Sequence, residues 1–235
     1  MPYYLICPIS HEIGSQSLNL IEIVRTHPVK GLHNDIIHDG LLDVADAAME
    51  FYFMDSMEIL NANAFFKKLV RIGISTAHGI ISSISNKLIK QLEPDQLLDV
   101  ADWAENIVRP MSEKINVAKE LKATYVLACP LSNEIATEMK ELIRIIQHDP
   151  RKGIYAEKIH DTVLSFSSVA MNYYYLGMAD ILKLGSFGRK LIAAGIKTAE
   201  GLLSSLSRRI FKNLDSGQLL KLTDWTEKMV LLIKD

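Results

Sequence analysis

The stretch GISTAHGIISSIS at residues 73–85 returns as GIKTAEGLLSSLS at residues 195–207, and this repetition decides the organisation of the chain. The shift of 122 residues continues in both directions without a gap. When residues 1–113 are aligned with residues 123–235, about 42 of 113 positions are identical, a level of internal similarity that indicates a repeat. The sequence therefore predicts a tandem duplication, with residues 114–122 as a connector between the halves.

The composition is that of a globular protein, and it excludes several classes of function. The chain has 235 residues, of which 49% are hydrophobic and 23% charged, with a formal net charge of −2. Such a balance creates no field that would recruit nucleic acid or anionic lipid. Two cysteines are too few for a secreted disulfide framework. The apolar runs are too short for a membrane span or a signal peptide, and we expect a cytoplasmic location.

Each half is predicted to be helical after a short N-terminal arm. The arms PYYLICPIS and TYVLACPLS fit extended segments that pair around a pseudo-twofold axis, although the second also fits the end of a helix. Ser10 and Ser132 have the position of helix N-caps, and Pro28 with Gly31 marks a turn. The helices expected in the first half lie at about residues 10–26, 32–60, 64–92 and 94–110. The fold class is therefore all-α, with two homologous four-helix bundles.

The two long helices of each half carry distinct faces. The second helix has a stripe that steps by four and three residues, and we expect it to point inwards because five of its seven residues recur in the second half. That stripe consists of His38, Leu42, Ala45, Met49, Tyr52, Ser56 and Ile59. The third helix keeps Gly73 and Gly79 in both halves, although each glycine costs about 1 kcal/mol of helix propensity. This predicts a close helix crossing at the glycines.

The pairs His38-Asp39 and His160-Asp161 are the sharpest candidates for chemistry. Neighbouring His and Asp occur in metal phosphohydrolase sites, but no further histidine recurs in both halves, and two ligands are too few for a typical metal site. We therefore expect each histidine to be a satisfied core or interface residue, with a pH-sensitive contact or a ligand site as the alternatives. No metal, cofactor or catalytic set is predicted.

Two further groups of residues recur at equivalent positions. Cys7 and Cys129 are expected to be small buried thiols, with a redox pair or a soft-metal site at the axis as the alternative. Aromatic residues are expected in the core or between the halves, with an apolar ligand pocket as the alternative. These aromatic residues are Tyr52, Tyr174, Trp103 and Trp225.

One surface differs between the halves. Asp43, Asp46 and Glu50 lie on the second helix of the first half, where the second half has Ser165, Ser168 and Asn172. A solvated face is the usual reason for such a group of carboxylates, and a partner-specific surface is the alternative. We identify these three residues as a candidate face for a protein partner.

Residues 36–107, which include IHDGLLDVADAAMEF and EPDQLLDVADWAE, resemble a family of small helical proteins without an assigned activity. Members of that family are often encoded beside formate-dehydrogenase-like or heterodisulfide-reductase-like redox enzymes. The second half matches over residues 159–230, but it has Thr162-Val163 in place of Gly40-Leu41. The resemblance implies an accessory role near a redox complex and carries no catalytic residues with it.

The leading hypothesis from sequence is a non-enzymatic interaction or accessory protein with a protein partner. A fused pair of this kind resembles a homodimer, so a large self-complementary interface between the halves is expected. The alternatives are a helical module that binds an apolar small molecule or lipid, and a metal or thiol redox site between the halves. A homo-oligomer is also compatible with the sequence.

Overall fold

The computed structural model describes residues 3–111, 123–151 and 153–232, and within these ranges the chain is mostly helical with one small sheet. The strands are β1 (Tyr3–Ile9), β2 (Val108–Pro110), β3 (Tyr125–Leu131) and β4 (Val230–Leu232). The helices are α1 (His11–Thr26), α2 (Asn34–Met49), α3 (Ser56–Ile59), α4 (Ala64–Ile89), α5 (Pro94–Ile107), α6 (Asn133–His148), α7 (Ala156–Met171), α8 (Gly177–Ile181), α9 (Ser186–Phe211) and α10 (Ser216–Met229). The connector predicted at residues 114–122 lies outside the described residues.

The N-terminal arms are strands that pair with each other, as the extended reading predicted. The sheet has the order β2-β3-β1-β4, and every neighbouring pair is antiparallel. Ile6 lies opposite Ala128 in the β1–β3 register, and these two residues occupy equivalent positions in the two halves. An antiparallel pair centred on equivalent residues has local twofold symmetry, so a pseudo-twofold axis passes between Ile6 and Ala128.

Prolines are tolerated in these central strands because the outer strands are short. β4 pairs only with Tyr3–Leu5, so β1 has a neighbour on one side only at Pro8. Pro130 of β3 lies beyond β2 in the same way, because β2 pairs with Tyr125–Leu127. Prolines in sheets are usually found at such places, where one side of the strand has no neighbour. The short strands β2 and β4 follow α5 and α10, where the sequence predicted only the end of a helix.

Local sequence signals account for the helix starts and turns. The Ser10 side chain accepts a hydrogen bond from the Ile13 backbone N–H at 3.1 Å, and Ser132 caps α6 equivalently. Gly31 and Gly153 have φ values of 81° and 76°, which a residue with a side chain rarely adopts. The predicted caps and the predicted turn are therefore confirmed.

The second predicted helix is present but changes its winding. α2 continues through a π-helical segment, Glu50–Asp55, into α3, and α7 continues through Asn172–Leu176 into α8. The predicted inward stripe is confirmed, since none of its seven residues is exposed and Met49 and Ser56 are buried. Single π-helical turns are rare and often occur at functional sites. The π-helical segments place the aromatic residues of both halves against the sheet.

Each half receives the end of the other half's long helix. Leu60, at the end of α3, packs among apolar residues of the second half, and Leu182 packs in the first half. The amide Nε2 of Gln96 donates to the Leu182 carbonyl at 2.7 Å, while its Oε1 accepts from the Glu93 backbone N–H at 3.0 Å. Gln218 donates to the Leu60 carbonyl in the same way. Each glutamine thus bonds a free N–H group at the start of its own helix and a free carbonyl at the end of a helix from the other half.

Among the described residues, the close crossing predicted at the repeated glycines is found at one of the four positions. At Gly73, Gly79 and Gly201 no described atom lies within 4 Å of the place that a Cβ would occupy. At Gly195 the nearest atom is Cγ2 of Ile80, at 3.6 Å. α4 and α9 therefore approach each other where Ile80 contacts Gly195. The crowded glycine is Gly14 in α1, where a Cβ would lie 2.2 Å from Cγ of Tyr125.

Candidate functional site

Two thiols and two phenols meet at the pseudo-twofold axis. Cys7 and Cys129 lie on the helix-facing side of the sheet, each opposite a leucine, and are diagonal neighbours about 7–8 Å apart in Cα position. Tyr52 and Tyr174 of the π-helical segments pack on the same apolar cluster. Both thiols contribute to raising the pKa of each phenol, so the four groups are neighbours. We call these four residues the axial cluster.

In the axial cluster, the hydroxyl group of each tyrosine is the most deeply buried part of the side chain. Both tyrosine rings are half-buried, while both hydroxyl oxygens are fully buried and have no hydrogen-bond partner among the described residues. Burial is the largest cause that raises the pKa of both Tyr52 and Tyr174 well above the ordinary value. Both phenols therefore remain neutral hydrogen-bond donors.

The thiols of the axial cluster are free, buried and held in the protonated form. The Sγ atoms of Cys7 and Cys129 lie 3.6 and 3.7 Å from the carbonyl oxygens of the following prolines. Burial raises the pKa of Cys129 to about 12, and it raises the pKa of Cys7 further, with a smaller contribution from Asp55. Because the thiolate is the reactive form, this environment opposes thiol redox chemistry. It favours the prediction of structural thiols.

We expect alkaline pH to destabilise the protein through these thiols. The native state keeps protons that the unfolded chain releases above the ordinary thiol pKa of 9.0, so the free energy of unfolding falls as the pH rises through that value. Each thiol contributes about 1.4 kcal/mol per pH unit between its unfolded and native pKa values. Urea denaturation at pH 8, 9 and 10 measures this slope. The double variant Cys7→Ala/Cys129→Ala should show a shallower slope, and an unchanged slope would contradict the assignment.

The two histidines join the long helices of each half. His160 is buried on α7, and its Nδ1 lies 2.6 Å from Oγ of Ser207 on α9. The Ser207 hydroxyl also lies 3.3 Å from the Ser204 carbonyl, so it can bond both to His160 and to its own helix. In the first half, Nε2 of His38 donates to the Ser82 carbonyl at 3.2 Å. The structure thus places both histidines as contacts between helices, the role that the sequence favoured.

The acidic neighbours of the histidines take no part in these contacts. Asp39 is exposed, and its Oδ1 lies 3.4 Å from Nδ1 of His38. Asp161 is exposed and lines an open cleft of the second half. Within the described ranges no group of three or more histidine, cysteine or acidic side chains is arranged to hold a metal ion. The His-Asp pairs are therefore not brought together with further ligands.

The tryptophans connect each half to the other half's π-helical segment. Trp225 of α10 lies 5.5 Å from Phe51, measured between ring centroids. Trp103 of α5 packs on the central apolar cluster, with its Nε1 3.7 Å from the Cβ position of Gly177. Both tryptophans are half-buried, which agrees with the prediction of aromatic residues between the halves.

The predicted partner face lies in an open cleft between α2 and α4. Asp43, Asp46 and Glu50 line this cleft of about 510 Å³, with Arg71 and His78 on the facing helix. Oδ1 of Asp46 lies 2.7 Å from Nδ1 of His78. The equivalent cleft between α7 and α9 has a volume of about 570 Å³ and is lined by three serines and by Lys197, Asp161 and Glu200. The two clefts match in position and differ in charge.

Along more than half of its length, α4 contains no buried residue. Between Arg71 and Ile84 none of the 14 residues is buried, although five are isoleucines, and the Ile72 side chain is 54% exposed. The outermost positions follow a heptad-like spacing of four and three residues: Phe65, Leu69, Ile72, Thr76, Gly79 and Ser83. The equivalent residues Thr198, Gly201 and Ser205 of α9 are also exposed. We call this surface of α4 and α9 the outward face.

Most residues of the outward face are the same in the two halves. Five of its six positions on α4 carry the same residue in α9, and Ile72 is replaced by Ala194. The sequence groups Leu69, Thr76, Gly79 and Ser83 with Gly73 as an internal crossing, because small residues at helical spacing fit either role. The sequence does not show that Ile80 lies on the side of α4 that contacts α9.

Comparisons with known proteins identify no relative. No family model, no curated protein and no solved structure matches the chain. A search of the helices in the described part of the chain finds none with the length and hydropathy that a membrane span requires.

Proposed function

We propose that this protein is a non-enzymatic interaction protein that binds a helical protein partner on the outward face of α4 and α9. The observation that carries the proposal is the exposed heptad-like stripe, which keeps five of six residues between the halves. An uncovered stripe of this length is typical of a surface that another molecule covers. Small residues at its centre allow a second helix to approach closely, as at other helix–helix contacts.

The duplication explains why the outward face recurs in both halves. We infer that the chain arose as a fused homodimer, because its pseudo-twofold axis passes between equivalent residues of β1 and β3. Each half then presents its own copy of the outward face. The acidic cleft of the first half adds a difference in charge, so the first copy favours a partner with basic side chains. The resemblance to proteins encoded beside redox enzymes favours a subunit of a cytoplasmic redox complex as that partner.

Quantitative affinity capture tests the proposal. Wild-type protein and the variant Thr76→Arg/Thr198→Arg are immobilised, and the proteins that each retains from a native extract are compared by mass spectrometry. We expect the arginine variant to lose the specific partner at least tenfold, because two buried charges without partners prevent close helix packing. Both substituted positions are exposed, so the melting temperature should change little.

A second variant examines the acidic cleft in the same capture experiment. Replacing Asp43, Asp46 and Glu50 by their amides should weaken retention, and the loss should diminish at high salt. Leu220→Arg is the matched control, because Leu220 is an exposed apolar residue of α10 outside both surfaces. Equal retention by wild type and both variants would contradict the proposal. A mass measurement under native conditions shows whether the retained partner is a second copy of the chain.

A further inference from the structure

The axial cluster contains two hydrogen-bond donors with nothing to accept from them. The hydroxyl oxygens of Tyr52 and Tyr174 are fully buried, and neither has a hydrogen-bond partner in the described part of the chain. Leaving a buried hydroxyl unpaired costs the free energy of its lost hydration, so buried polar groups are nearly always satisfied by protein or by ordered water. Because the two unpaired hydroxyls lie at equivalent positions of the two halves, we look for one explanation for both.

The groups around the two hydroxyls indicate which kind of molecule could accept their hydrogen bonds. The four polar groups of the axial cluster are neutral, and the side chains packed around them are apolar. An anion would lose its hydration for only two neutral donors, and a metal cation would require thiolates that burial disfavours. A neutral molecule that accepts two hydrogen bonds loses less hydration than an anion and does not require thiolates. The two sulfur atoms are weak acceptors for any protons that it donates.

We propose that Tyr52 and Tyr174 bind one internal water molecule between their hydroxyl groups, beside Cys7 and Cys129 on the pseudo-twofold axis. The water accepts one hydrogen bond from each phenol and directs its own protons towards the two thiols. This arrangement gives the water between two and four polar partners, which is the usual number for a buried site. It also joins the two π-helical segments, which belong to different halves, through one shared ligand.

The sign of the stability change in tyrosine-to-phenylalanine variants tests the proposal. Each substitution removes a single oxygen atom and leaves the ring, so the fold is retained. If the water is present, Tyr52→Phe and Tyr174→Phe each remove one of its hydrogen bonds and lower the melting temperature by about 2–4 °C. The double variant should lose less than the sum of the two single losses, because both act on one molecule. Tyr155→Phe, in a different apolar cluster, is the control.

Two results would overturn the proposal. A melting temperature that is unchanged or higher in either single variant would show that the hydroxyl is unpaired in the wild type. A crystal structure of the wild type should show one water oxygen within about 3.2 Å of both hydroxyl oxygens. Absence of that density would overturn the proposal, as would stoichiometric metal in elemental analysis that disappears in the Tyr52→Phe/Tyr174→Phe variant.

Discussion

Replacing Gly14 by alanine is expected to lower the free energy of unfolding by about 3 kcal/mol. The new Cβ would lie 2.2 Å from Cγ and 2.5 Å from Cβ of Tyr125. These atoms are at the base of the tyrosine side chain, so a change of rotamer cannot move both of them away. Relief requires that α1 and β3 separate, and β3 is held between β1 and β2 in the sheet. The removal of a helical glycine returns at most about 1 kcal/mol, and the clash therefore prevails.

Gly73→Ala is the matched control for this prediction. Gly73 also lies inside a helix, but no described atom is within 4 Å of its Cβ position. Alanine should therefore stabilise the protein there by about 0.5–1 kcal/mol, through helix propensity. Urea denaturation followed by circular dichroism compares the two variants with the wild type. Opposite signs are expected, and a Gly14→Ala variant as stable as the wild type would show that α1 and β3 are not in contact.

Replacing His160 by leucine is expected to cost about 2–4 kcal/mol. The side chain is 1% exposed, and its Nδ1 is hydrogen-bonded to the buried hydroxyl of Ser207 at 2.6 Å. Leucine has a similar volume but makes no hydrogen bond, so the Ser207 hydroxyl loses this partner and the contact between α7 and α9 becomes weaker. The effect combines a lost hydrogen bond with an imperfectly filled site.

His38→Leu in the first half is the matched control. The His38 side chain is 16% exposed, and its acceptor is the backbone carbonyl of Ser82. That carbonyl lies within α4, where the helix supplies another donor, so a smaller loss of about 1 kcal/mol is expected. Denaturation of both variants at the same pH measures the difference. Equal losses at the two positions would mean that burial does not set the strength of the histidine contacts.

The candidate sites differ in how far sequence could locate them. Cys7, Cys129, Tyr52 and Tyr174 were each selected because they recur at equivalent positions, but their meeting point was not predictable. It depends on the β1–β3 register, and a shift of one residue would turn both cysteines to the other side of the sheet. The π-helical segments add a second condition, because their extra winding changes the direction of Tyr52 and Tyr174 relative to a regular α-helix.

The acidic residues show the opposite case. Asp43, Asp46 and Glu50 are three and four residues apart, so helical periodicity alone places them on one side of α2. Sequence could not show that Arg71 and His78 of α4 face them across a cleft. That pairing depends on how two long helices rotate about their own axes when they pack.

Sequence by itself determined the features that depend on short-range periodicity and on the internal repeat. These are the helix caps at Ser10 and Ser132, the turn at Gly31 and the inward stripe of α2. Each follows from the conformational preference of a few neighbouring residues, or from comparison of one half with the other. No information about distant segments is needed.

Tertiary structure alone decided which segments meet. It placed Ile6 opposite Ala128, passed the ends of α3 and α8 into the opposite halves, and crowded Gly14 against Tyr125. These outcomes depend on contacts between residues far apart in the chain, whose free energies are sums of many small packing terms. A local pattern identifies which face of a helix is apolar or small, but the side that becomes covered is set when all the helices pack together.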